Sequence, residues 1–193
     1  SADLGVGFTK EFNNSVSASL LITNGEGYKA NMDEIDNHSR YSLQIVAGEK
    51  KLDKNDGNNF GLVFSNVKND KIRGLFSGFS KDGLRVGLEY FIKDIDHDDG
   101  DKDEFLLNSL YANYLVNEKM TAFIRLDEEE AEVNDILSWN TTVRNTGFIF
   151  NPTKGLSISP NYFESKSKSY DNQGDLTDTI ETDEFTLNFQ FKF

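Results

Sequence analysis

The densest cluster of groups that could do chemistry is Asp94-Ile-Asp-His-Asp-Asp-Gly-Asp-Lys-Asp-Glu104. Hard divalent cations take several oxygen ligands, and alternating carboxylates ahead of a glycine turn are one way to supply them. Asp94, Asp96, Asp98, Asp99 and Asp101 are therefore the candidate metal ligands. The register is not that of an EF-hand, because the glycine comes one position late and no helical pattern flanks it. The broader expectation is a solvated acidic loop, with no resident cofactor, that could share Ca2+ or Mg2+ with nearby phosphates. Nucleophilic catalysis has no support. His38 and His97 lie in polar stretches without a serine partner at recognisable spacing, and the chain has no Cys. Abundant loop carboxylates do not make an acid–base pair. The chain reads as something other than an enzyme.

A second set of charged residues is sorted by parity. Arg40, Arg85, Glu89, Lys93, Arg125, Arg144 and Lys192 all fall on the polar side of segments that alternate polar and apolar residues. The last eleven residues show the pattern best. Phe185, Leu187, Phe189, Phe191 and Phe193 share one parity, and Glu184, Thr186, Asn188, Gln190 and Lys192 the other. A period of two means a strand with one apolar and one polar face. The same alternation recurs over 16–23, 40–47, 84–93, 120–127, 137–149 and 156–163, with weaker strand-like segments near 2–12, 59–67, 72–80 and 105–115. On the stretch 137–149, Trp139, Thr141 and Val143 are taken as the apolar side and Arg144 as polar. About eleven strands result, and no segment has a sustained helical period.

Strands that are greasy on one side and polar on the other suit a wall between lipid and water. The fold class expected is all-β: an antiparallel transmembrane β-barrel with about 10–12 strands in this chain. Connections over 24–39, 96–104, 127–136 and 165–182 are long and fall on one side, while most of the others are short turns on the opposite side. With their flanks, the long connections carry 24 of the 33 acidic residues. Tyr41, Tyr90, Trp139 and Tyr162 lie near the predicted outer strand ends on the apolar parity, with Tyr114 and Phe193 near the inner ends. They are the expected aromatic girdles at headgroup level. A charge facing lipid at mid-membrane costs about 2–4 kcal/mol, so the seven polar-parity charges are expected to line the interior. Six bases against Glu89 would give that interior a weak anion preference.

Composition bounds the rest. No apolar run approaches the roughly 20 residues of a spanning helix. Mean hydropathy is −0.55, which a barrel tolerates because only alternate residues meet lipid. A net charge of −13 argues against nucleic acid as a partner.

The closing segment is similar to the terminal strand of bacterial outer-membrane β-barrels. Ser1-Ala-Asp-Leu-Gly-Val-Gly-Phe8 and Leu21-Ile-Thr-Asn-Gly-Glu-Gly-Tyr-Lys29 resemble a segment of long bacterial porins, including those grouped with phosphate-selective porins. In such proteins this stretch looks like mid-barrel sequence. The resemblance implies that 1–193 is one outer-membrane barrel domain, or the C-terminal part of a larger barrel of about 16 strands. It also implies passive diffusion of small hydrophilic solutes or ions in the bacterial outer membrane. Outer-membrane lipid and lipopolysaccharide would surround it, with homo-oligomers an open arrangement. The alternative is a non-conducting barrel, or a secreted β-sandwich that binds or adheres through its acidic loops.

Overall fold

A computed structural model of the chain describes residues 4–13, 15–24 and 38–192. The described residues form eleven strands: β1 (Gly5–Asn13), β2 (Val16–Thr23), β3 (Arg40–Gly48), β4 (Gly57–Val67), β5 (Asp70–Lys81), β6 (Leu84–Asp96), β7 (Lys102–Asn117), β8 (Met120–Val133), β9 (Ile136–Thr153), β10 (Leu156–Tyr170) and β11 (Leu176–Phe191). They form one antiparallel sheet in sequential order, and β1 and β11 are its two edges. A sandwich needs two sheets packed face to face, so that alternative falls.

Register sorts every side chain to one of two faces, because directly paired residues share a face. One ladder level runs Phe79, Val86, Ala112, Ile124, Thr146, Tyr162, Phe185. The level beside it, on the opposite face, runs Gly78, Gly87, Tyr111, Arg125, Asn145, Phe163, Glu184. Burial identifies the concave side. All the buried residues described, namely Ser17, Gly61, Gly78, Ser80, Gly87, Ser109, Ala131 and Asn161, stand on the polar face. Phe76, Phe91, Tyr111 and Phe123 on that face are half-buried, whereas Phe60, Phe64, Phe79, Phe148 and Phe150 on the other are exposed. The sheet therefore curls around its polar face and presents a convex apolar one.

The apolar band also fixes the strand tilt. Its upper limit is Tyr41 on β3, level along the ladder with Asp94 of β6. On β11 the limit is Phe185, level with Val86. The band thus slips eight residues across eight strands. At about 3.4 Å per residue and 4.8 Å between strands, that is about 27 Å over 38 Å, an inclination of about 35°. Membrane barrels tilt their strands by about 35–45°. A horizontal apolar belt on tilted strands accounts for the slip.

The long connections are mostly strand. Between β8 and β9 only Asn134-Asp135 turns the chain, both with positive φ (52° and 62°). Residues 97–101 and 171–175 close the other two tall hairpins. The asymmetry expected as long loops is thus strand that rises past the apolar band; the region 25–37 lies outside the described residues. At the opposite end, the longish connection Glu49–Asp56 folds over the concave face. Leu52 lies against Gly78, the Glu49 carbonyl accepts from Asn59 Nδ2 (3.0 Å), and the Asp53 carbonyl accepts from Arg85 (2.5 Å).

Candidate pore wall

Arg40, Arg85, Glu89, Lys93 and Arg125 stand on the concave face, where their parity puts them. Lys192 keeps that parity just past β11, where its backbone N–H donates to the Gly155 carbonyl at 2.8 Å. Arg144 does not join them. Its ladder partners are Leu126 and Glu164 on the convex face, and its guanidinium pairs with the Glu164 carboxylate. Trp139 moves the other way, lying between Ala131 and Ser169 on the concave face, so it is no part of the outer girdle. Both corrections have one cause. The segment 139–144 lies above the band, where the convex face meets water and the apolar side of a strand no longer marks lipid.

Tyr41, Tyr90 and Tyr162 do stand on the convex face near the band's upper limit, and Tyr114 near its lower one. Phe193 lies outside the described residues. Directly above the band runs a collar of ion pairs: Lys71–Asp96 (2.8 Å), Arg73–Asp94 (3.5 Å), Lys166–Glu181 (2.5 Å) and Arg144–Glu164. Exposed pairs of this kind contribute at most about 1 kcal/mol each. Their use is positional, since they mark where lipid ends and water begins.

The sign of the concave wall differs from the sequence expectation. Its strands carry four bases, Arg40, Arg85, Lys93 and Arg125. Against them stand eight carboxylates, Glu11, Asp70, Glu89, Asp103, Asp127, Glu129, Asp178 and Glu184. The bases are also engaged: Arg40 and Lys93 with Asp70 (3.4 and 3.3 Å), and Arg125 with Asp127 (2.8 Å). Asp127 further accepts a 2.5 Å hydrogen bond from Ser109. Asp127 and Glu184 already fall on the polar parity in the sequence; the register adds Glu11, Asp70, Asp103, Glu129 and Asp178, which lie at a strand end or in stretches that read as loops.

The five aspartates proposed as metal ligands do not gather. Asp94 and Asp96 pair with Arg73 and Lys71 on the convex face. Asp98 accepts from Asn69 (3.3 Å), Asp99 from the Asp101 N–H (3.2 Å), and Asp101 from Asn134 (3.0 Å). Among the described residues no three His, Asp or Glu side chains converge as a metal site. His97, in the turn above the wall, bonds to Asp103 (2.9 Å), and that bond raises its pKa above the ordinary 6.5, with Asp99 and Asp101 adding attraction.

The surface of the described sheet includes two concavities of note. The larger, 1020 Å³, lies mainly on the convex face between Leu88, Leu110 and Leu126 of the band and Arg144, Glu164 and Asp183 of the collar. It faces the lipid boundary. The second, 590 Å³, lies on the concave face under the Glu49–Asp56 turn.

A single sequential antiparallel sheet with an apolar convex belt, a polar concave wall and a charged collar is the fold of bacterial outer-membrane β-barrels, consistent with the outer membrane as its location. Among solved structures, the chain is similar to OmpT (in-vitro folded), an outer membrane protein of Vibrio cholerae. The TM-score is 0.69 at 11% identity, covering 97% of this chain and 63% of that one. Outer-membrane expressed OmpT of Vibrio cholerae gives 0.60 at 11% identity, covering 96% and 62%. The chain thus spans less than two thirds of the length of these structures. No protein-family model matches, and no curated protein matches.

Proposed function

We propose that the chain forms the wall of a water-filled outer-membrane pore, through which small hydrophilic solutes diffuse passively and cations are favoured over anions. The observation that carries this is the excess of carboxylates on the concave wall, most of them at or above the upper edge of the apolar convex belt, where they line the outer mouth. Charges of one sign lining a narrow mouth raise the local concentration of counter-ions, so they bias which ions enter. The resemblance to phosphate-selective porins supports a porin-like role, but an acidic wall disfavours phosphate as the preferred solute.

The test is a reversal potential for the refolded chain in a planar bilayer under a KCl gradient. We expect stepwise conductance with cation preference, reduced in Glu89→Gln/Glu129→Gln. A closed membrane would remove the pore and favour a non-conducting barrel. Anion preference would overturn the assignment of the wall's sign.

A further inference from the structure

Three rings on the concave face share one arrangement. Phe76 of β5 lies over Gly61 of β4, Phe91 of β6 over Gly74 of β5, and Tyr111 of β7 over Gly87 of β6. A methyl carbon built on each glycine would fall 2.1–2.8 Å from three ring atoms of Phe76, 2.2–2.9 Å from three of Phe91, and 2.1–2.4 Å from three atoms of Tyr111. Each ring therefore lies flat across a gap that only glycine leaves. One ring face is against backbone, and the other is turned to the interior.

Register places the rings along the strand direction. Phe76 is level with Glu89 and Ser109; Phe91 stands two residues above that level, and Tyr111 two residues below it. Levels two residues apart are separated by about 7 Å. With the strand tilt, two residues down over two strands cancels, so Phe76 and Tyr111 stand at one height with Phe91 about 8 Å above, and the three rings form a triangular patch on the wall. All three line the 590 Å³ concave cavity, with Arg85, Glu89 and Asn113 beside them.

We infer that this cavity is a carbohydrate subsite. A pyranose presents a C–H face, which the negative face of an aromatic ring attracts, and an edge of hydroxyls that planar amide, carboxylate and guanidinium groups can bind. A small cation would use one ring face; three faces on one patch suit a ligand with more than one ring to stack. The glycines keep the rings flat, so the stacking surface is prepared before the ligand arrives, and little ordering cost remains. As a solute preference this rests on the pore reading, but the site itself does not require conduction.

The experiment is block of single-channel current by maltotriose and by chitotriose, with polyethylene glycol of equal size as the ring-free control. Leucine at Phe76 or Tyr111 keeps apolar cover over the glycine and removes the flat face, so Phe76→Leu and Tyr111→Leu test the site without opening a cavity. We expect saturable block by at least one sugar, weakened roughly tenfold by either variant, the order expected for one lost ring contact. A conducting channel that neither sugar blocks more than polyethylene glycol does would overturn the subsite and leave the pore standing. If the chain does not conduct, calorimetric titration of the two sugars into the refolded protein in detergent decides. Saturable binding weakened by Tyr111→Leu supports the subsite, and no binding overturns it.

Discussion

Replacing Leu88 with arginine puts a charge near the middle of the convex belt. On β6 the apolar parity runs from Leu84 to Ile92, so Leu88 is four residues from either end, and its side chain is exposed (51%) on the convex face. Four residues span about 13 Å along a strand and about 11 Å along the membrane normal at the tilt worked out above. Half of a belt roughly 25 Å tall is close to that, so Leu88 lies near mid-membrane. An arginine there costs about 2–4 kcal/mol, a loss of about 30- to 900-fold in the folding equilibrium. The matched control is Gln44→Arg, at an exposed position of similar height on the concave face, where a change within about 0.5 kcal/mol is expected. Both are measured by equilibrium unfolding from phosphatidylcholine vesicles, with the single Trp139 as fluorescence reporter. Equal losses in the two variants would refute the assignment of faces, and with it the pore wall.

Gly87→Ala should destabilise by about 1–3 kcal/mol, because the new methyl overlaps the Tyr111 ring; in a Tyr111→Ala background the cost should largely vanish, as a double-mutant cycle would show. Arg125→Gln should strengthen cation preference while Arg144→Gln leaves it unchanged, since only the first faces the interior; reversal potentials that shift equally would return Arg144 to the wall. His97 should titrate above 6.5 by NMR, and Asp103→Asn should bring it down. Because the folded pKa is raised, the stabilisation from this pair is present in full below 6.5 and is lost as pH rises through the folded value; a midpoint below 6.5 would contradict the hydrogen bond that sets it.

How far the sequence could be read follows from where each residue meets a contrast between lipid and water. Inside the belt, parity is imposed by solvent on both faces, so Val86, Leu88, Ile124 and Phe185 declare their side without a structure, and so do Arg85 and Arg125 opposite them. The eleven strands were legible for the same reason. Above the belt both faces meet water, and alternation loses its meaning. There Trp139 and Arg144 look correctly sorted and are reversed, and 127–133, acidic enough to read as loop, is strand that carries Asp127 and Glu129 onto the wall. These carboxylates, with Asp70, Asp103 and Asp178 from other stretches that read as loops and with Arg144 off the wall, are why a six-to-one basic excess by sequence becomes an acidic one by register. The flat rings were hidden differently. Phe76, Phe91 and Tyr111 break the polar pattern of their own face, and each makes sense only beside a glycine on the preceding strand, 15–24 residues away in sequence. One-strand periodicity cannot see that pairing. Pairing register can, and it identifies the place on this wall where an apolar exception on the polar face is built in three times over.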